Sequence, residues 1–566
     1  ITLKLVLKMK RGFLFNSIPA PRLRRTAFNL SRENTVALQM GKLVPIMCQE
    51  CLPGDTFKIS PKQLTRLMAL NSPMMQRVDV KLEFFKVPNR LLMKDWEDFI
   101  TGGESGTETP SKPTAKLSEI MDMDSQLLET GSLADYLGIP LPYSRNLSTG
   151  AWSQIPLANW GNDGPTIDLM PFNAYTKVWN DYYRDQNLQT EIPLCDESKE
   201  YDQSDEEFAS GLFYLKNRAW KKDYFTSALT DPQRGNAVGI GLAGEADVDG
   251  VASINDREIK VGYSHNQQPI YPSGTGFAET NPDGYMTVHD SGEPEGNAYV
   301  TLGDVPVTGS ADMSTASAIG ITALRTAFKI QQFLERNNVA GARYIENILA
   351  HFGVKSSDAR LQRAEFLRGY SAPVMISEVE SNADSDGVPV GELAGKGKSA
   401  AAWDKPFKTF CEEHCFIVGI MSVIPTAKYG QGLSRMWTRF DKYDYFWNEF
   451  EHIGEQDIKN KEIYYDFLTG SSTIADQTFG YTARYAEYKY APDEIHGDLK
   501  TSLSFWHQGR LFDNLPALNE DFIKCAPSDR VFAVQDAVSD QKVVADLWLD
   551  VKAVRPMSKY GTPRLT

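Results

Sequence analysis

The sequence predicts a mainly β protein, an antiparallel sandwich whose strands are separated by long, helix-bearing excursions. Three segments carry this expectation. Residues 78–84 alternate, with Val78, Val80, Leu82 and Phe84 on one face and Asp79, Lys81 and Glu83 on the other. Residues 543–553 repeat the pattern, with Val543, Ala545, Leu547, Leu549, Val551 and Ala553 opposite Asp546, Asp550 and Lys552. Residues 415–424, CFIVGIMSVI, are almost continuously apolar, as suits a strand covered on both faces. A further aromatic strand is expected over TFGYTARYAEYKY, 478–490. The strands lie far apart in sequence and lack the regular β-α alternation of a doubly wound sheet.

Helices are expected between them. Ser60, Pro61 and Gln63 have the spacing of a capped helix start, which predicts a short helix with Leu64, Leu67 and Met68 facing inward. Residues 171–187 place Phe172, Tyr175, Val178, Trp179 and Tyr182 on one helical face. Residues 321–350 read as a longer helical region interrupted near Asn337–Gly341. Between these two regions the composition changes. Residues 236–320 hold 13 of the 42 glycines and 12 acids, with only Arg257 and Lys260 as cations. They read as an acidic, solvent-facing insertion, in which IKVGY, PIYP and AYVTL suggest a small folded lobe rather than an empty linker. A second acidic excursion runs 196–207, and a Gly/Ser/Ala-rich one runs 380–402.

A chain of 566 residues allows several domains or one domain with large insertions, and 42% hydrophobic content suffices for a sizeable core. The net charge of −15 excludes a general nucleic-acid binder. The charge is uneven, however. Residues 1–30 carry seven cations and no acid, so the remainder holds −22 (−15 minus +7). Lys8, Lys10, Arg11, Arg22, Arg24 and Arg25, with Phe13, Phe15 and Phe28 among them, make this arm a candidate for single-stranded DNA contact. The competing reading is a flexible arm that aids solubility or docks on an acidic neighbour. Lys4, Lys8 and Lys10 break the apolar run that a signal peptide would need, and Met9 is a candidate natural start. No window is long and apolar enough to span a bilayer.

Few motifs suggest chemistry. Gly239–Gly244 matches GxGxxG, but acids and a glycine follow where a dinucleotide site needs a helix. GELAGKGKS, 391–399, misses the spacing of a phosphate loop by one residue. Glu245, Asp247, Asp249 and Asp256, with Gly250 at the sixth position, approximate a calcium loop and compete with an ordinary acidic turn. Cys48, Cys51, Cys411 and Cys415, the last two flanking His414, outline a four-ligand zinc site. Yet KLVPIMCQEC reads as extended chain, in which Cys48 and Cys51 face opposite ways, so reduced buried thiols are the expectation. The seven histidines form no HExxH motif, and no GxSxG elbow occurs. No catalytic residues and no cofactor are assigned, calcium apart.

Residues 429–464, YGQGLSRMWTRFDKYDYFWNEFEHIGEQDIKNKEIY, are dense in aromatics and mixed charges, with one histidine and no cysteine. Such a segment suits assembly rather than catalysis. Arg435, Trp437, Arg439, Tyr443, Tyr445, Phe446 and Trp447 are the candidate subunit-interface anchors, because Trp, Tyr and Arg dominate interface hot spots. Ordinary core packing is the alternative for each.

This segment also resembles the major capsid proteins of microviruses, the gokushovirus branch above all. The resemblance extends through VPIMCQECLPGDTFKIS (44–60), SPMMQRVDVKLEFFKVPNRLL (72–92) and WEDFITGG (96–103). SLADYLGIP (132–140), PFNAYTKVWNDYYRDQNLQ (171–189), DYFTSALTDPQRG (223–235) and ARYIENILAHFGVKSSDARLQRAEFLRG (342–369) are similar in the same way. So are RYAEYKYAP (484–492) and YGTP (560–563).

The resemblance implies a single eight-stranded antiparallel jelly roll, residues 31–566, that self-assembles into a T=1 icosahedral shell around a single-stranded DNA genome. It implies that the arm, residues 1–30, faces the interior. It further implies that 236–320 is a variable surface protrusion that could meet a host receptor. The partners expected are a small basic DNA-packaging protein and a scaffolding protein, with assembly in the bacterial cytoplasm and a final place in the virion. The rival expectation is a secreted jelly-roll carbohydrate-binding protein or glycosidase, which the aromatics and acids would also suit.

Overall fold

In the computed structural model the alternating segments become eight long strands in two antiparallel sheets. The structure describes residues 25–560 except 105–106, 147–149, 151, most of 236–320, parts of 341–356, 381–392, 404, 468–471 and 535–540. In chain order the strands are β1 (Arg32–Leu38), β2 (Val44–Cys51), β3 (Thr56–Leu67), β4 (Val78–Pro88), β5 (Glu365–Pro373), β6 (Leu393–Ala402), β7 (Cys415–Pro425) and β8 (Val543–Arg555). One sheet has the order β1-β8-β3-β6, extended to seven strands by Thr26–Asn29, Met375–Glu380 and Phe407–Phe410. The other has the order β5-β4-β7-β2. Neighbours in space are therefore distant in sequence, as β8 shows by pairing with β1 and β3.

Period-two patterning explains why the sheets stack. Val543, Ala545, Leu547, Leu549, Val551 and Ala553 of β8 are all buried, and they meet Val78, Val80, Leu82 and Phe84 of β4 in one core between the sheets. All of β7 is buried, as its apolar run predicts. Its Ile417, Met421 and Val423 join the sandwich core, while Phe416, Val418 and Ile420 face a second core. That second core lies under α1 (Met170–Val178), which contributes Phe172, Tyr175 and Val178. The helix continues through one π turn, Trp179–Tyr183, and Arg184 leaves it in an extended conformation.

Two expectations are corrected. The capped helix at Ser60 is absent, since 56–67 is the continuous strand β3, with Phe57, Ile59, Pro61, Gln63, Thr65 and Leu67 facing inward. Tertiary pairing overrides the capping signal here. Pro61 lies between two pairings on one edge of β3, Lys62 with Ala402 and Ile59 with Phe407, so its missing N–H interrupts no ladder on that side. Ser60 Oγ donates to the Trp403 carbonyl at 2.7 Å instead of capping a helix. The buried Gln63 is satisfied by donating to Ser399 Oγ at 2.9 Å. The aromatic strand expected over 478–490 ends at Ala483, because Tyr485 adopts a left-handed backbone with φ +61° and a short helix, Ala486–Lys489, follows. The long helix expected over 321–350 is present as α2 (Ile321–Ala340), which ends inside the break expected at 337–341.

The phosphate-loop candidate at 391–399 falls largely within β6, so Gly395 and Gly397 are extended rather than curled around an anion. Residues Asn236–Phe333 form a compact unit of their own. Its described strands are the pair Ser264–His265 with Gln268–Pro269 and the trio Ala278–Thr280, Met286–Val288 and Tyr299–Val300. The calcium candidates Glu245, Asp247, Asp249 and Asp256 lie outside the described residues. So do Lys8, Lys10, Arg11, Arg22 and Arg24 of the arm.

Candidate assembly surface

The chain leaving β7 is fixed by three short 3-10 turns, Arg435–Thr438, Lys442–Asp444 and Asn448–Phe450. Asp444 stabilises the second turn by accepting from the backbone N–H groups of Phe440 and Asp441, each at 2.9 Å. Those two bonds hold its carboxyl below the usual range. The Trp447 indole N–H donates to the Lys442 carbonyl at 2.7 Å, closing the loop over itself.

Beneath the loop stands Tyr485, buried and left-handed. Its hydroxyl accepts from the Trp447 backbone N–H and donates to the Tyr445 carbonyl, both at 3.3 Å. Its ring lies 5.0 Å from that of Phe446 in an edge-to-face arrangement. The Tyr485 N–H donates to Gln456 Oε1 at 3.0 Å, and Gln456 Nε2 donates to Glu487 Oε2 at 2.6 Å. Arg439 pairs with Glu487 at 3.0 Å and lies 4.2 Å over the Tyr488 ring. Arg435 donates to the Asp457 carbonyl at 2.7 Å and faces the Glu462 carboxylate at 3.6 Å. Burial pushes Glu462 above the usual carboxylate range despite that arginine and the Tyr224 hydroxyl, which donates to it at 3.0 Å.

The seven candidate anchors therefore divide by chemistry. Trp437, Tyr443, Tyr445, Phe446 and Trp447 are exposed. Arg435 and Arg439 point inward, because Glu462, Glu487 and Asp457 supply carboxylates beneath the loop. The arginines hold the platform and the aromatics face out from it. Sequence reasoning missed Met436 and Phe440, which are also exposed, Phe440 at 89% of its surface. A spacing rule for apolar residues on an irregular loop could have found neither. It also missed Tyr485, whose left-handed conformation leaves no trace in residue type. Large aromatics displayed together on a hydrogen-bonded frame are a surface suited to protein contact.

At another edge, Arg25 is exposed and its guanidinium sits 5.8 Å from the Phe410 ring. The four cysteines weighed as zinc ligands, and expected instead to be reduced buried thiols, separate. Cys51, Cys411 and Cys415 converge in the sandwich core, while Cys48 packs toward the second core on the opposite face of β2.

Comparison with known proteins places this architecture. The family described as "Capsid protein (F protein)" matches residues 16–565. The chain is 33% identical to capsid protein VP1 of Chlamydia phage 1 and 32% identical to capsid protein VP1 of Bdellovibrio phage phiMH2K, with 97% of each chain covered. It is 28% identical to capsid protein VP1 of Spiroplasma virus 4, again over 97% of both. An antiparallel sandwich carrying an exposed aromatic platform, matched along nearly its whole length by phage capsid proteins, belongs to the microvirus capsid protein (F protein) family.

Proposed function

We propose that this chain closes into a T=1 icosahedral shell of about 60 copies around a single-stranded DNA genome. Its family makes it a structural capsid protein of a bacteriophage virion. The strand orders β1-β8-β3-β6 and β5-β4-β7-β2 support an eight-stranded jelly roll as the shell-forming domain. The observation that carries the assembly reading is the aromatic platform. Trp437, Phe440, Tyr443, Tyr445, Phe446 and Trp447 are all exposed, on a loop braced by hydrogen bonds and ion pairs. Burying them against a neighbouring subunit would remove apolar area from water without first breaking hydrogen bonds.

The basic arm, residues 1–30, then lines the interior against phosphate, alongside a small basic packaging protein. The 236–320 insertion forms an outward protrusion that meets the host. Assembly takes place in the bacterial cytoplasm with a scaffolding partner.

The test is electron microscopy of the purified chain, with and without single-stranded DNA and a basic packaging partner. Uniform small particles, or pentamers that convert to them, are expected. A chain that stays monomeric under all these conditions but binds or cleaves glycans would overturn the proposal in favour of a carbohydrate-active jelly roll.

A further inference from the structure

We propose that Cys51, Cys411 and Cys415 form a three-thiolate site for one soft metal ion, copper(I) or zinc, at the end of the sandwich where two connections cross between the sheets. The three Sγ atoms lie within 4.8 Å of one another. They are 0%, 0% and 1% exposed.

The topology explains why they meet. Cys51 ends β2 and is the direct cross-strand partner of Cys415, which begins β7 in the same sheet. Cys411 arrives from the other sheet, immediately after Phe407–Phe410, which pairs with β3. Both crossings, residues 52–55 and 411–414, are laced together. The Gly54 N–H donates to the Cys411 carbonyl at 2.7 Å, and the Cys411 N–H donates to the Asp55 carbonyl at 2.9 Å. The sulfurs are thus held from both sheets by backbone rather than by a loose loop.

The spacing suits a metal. Three sulfurs at about 2.3 Å from one ion sit about 4 Å apart in trigonal geometry, so small side-chain rotations close the set. Soft thiolates select copper(I) and zinc over harder ions. Binding releases three thiol protons to solvent as three metal–sulfur bonds form. The resulting excess of negative charge lies beside two ion pairs, one of them Lys86 with Glu365 at 2.9 Å. Lys86 Nζ donates to the carbonyl of Phe410, the residue before Cys411, at 3.3 Å. Arg555 pairs at 3.3 Å with Asp55, which bonds to Cys411. Simple packing of small apolar thiols explains burial but not the convergence of three, and a disulfide would use only two.

The full-length chain, purified in reducing buffer after chelation, is loaded with zinc in one arm and copper(I) in the other. Metal content and the X-ray absorption first shell are then measured. The expected result is one ion per chain in at least one arm, with a first shell of sulfur. Cys411→Ser should lower the content at least about tenfold, while Cys48→Ser, on the opposite face of β2, should leave it unchanged. The first-shell measurement on the unmodified chain decides the matter even if Cys411→Ser fails to fold. Content well below one ion per chain in both arms overturns the proposal, as does a nitrogen or oxygen shell. So does a Cys51–Cys415 disulfide found by mass spectrometry in the reduced, metal-loaded chain.

Discussion

Replacing Phe440 with serine should damage assembly while sparing the fold. The side chain is 89% exposed and its ring contributes to no buried cluster, so the subunit loses little when it is removed. A phenylalanine can bury roughly 200 Å², and at about 25 cal/mol per Å² complete burial against a neighbour is an upper limit of about 5 kcal/mol. Association converts only part of that area into affinity, so a loss of about 2 kcal/mol per contact, near the hot-spot threshold, is the working figure. It corresponds to roughly a 30-fold weaker contact. The effect is measured as the rise in the lowest protein concentration that gives particles, by light scattering and electron microscopy. Thermal unfolding of the unassembled subunit is recorded in parallel. Arg439→Ala should behave oppositely, lowering subunit stability, because its guanidinium is committed to Glu487 and Tyr488. Normal assembly by the Phe440→Ser chain would refute the platform as an interface.

The remaining predictions concern the interior. Gly419→Val should destabilise the subunit by about 1–3 kcal/mol, because a Cβ there would lie 2.9 Å from the Phe84 ring and 3.2 Å from Met47 Cβ; chemical denaturation checks this. Burial pushes Lys216 down to about 7, so the folded chain binds fewer protons than the unfolded one between that value and 10.5. Its destabilising contribution is greatest below that window and fades as pH rises through it. The stability gap between the native chain and Lys216→Met should therefore shift in favour of the native chain on going alkaline, as read from unfolding midpoints. Burial alone would raise Glu83, but Arg218, bonded at 2.6 and 3.3 Å, and the Tyr183 hydroxyl at 2.6 Å outweigh it and hold the carboxyl low. That pair contributes stability above the free glutamate value of 4.5, lost as pH falls through the depressed folded value. Arg218→Ala should cost about 3 kcal/mol near neutrality and flatten this acid-side dependence in a pH series of unfolding midpoints.

The sandwich was legible wherever one rule decided a strand. Alternation located β4 and β8, and a continuous apolar run located β7, because burial on one face or on both leaves a direct trace in residue type. It was illegible where two rules competed. The Ser60–Gln63 capping pattern is a sound local signal, yet β3 is clasped between β8 and β6, and a dozen residues of sheet pairing outweigh one helix start. The same competition governs the aromatic platform. Aromatics and arginines both qualify as interface anchors by residue type, which alone offers no reason to separate them. Three-dimensional charge does. Glu462 and Glu487 enter from segments dozens of residues away and draw Arg435 and Arg439 inward, which leaves the rings at the surface. A surface of this kind is held in an isolated subunit by the hydrogen bonds and ion pairs beneath it. It gains more on association for the same reason, since the contact adds apolar burial without an opposing loss of hydrogen bonds. The division of labour between buried cations and exposed rings is therefore a property of the folded chain. It could be inferred from sequence only once the carboxylates beneath the loop had been placed.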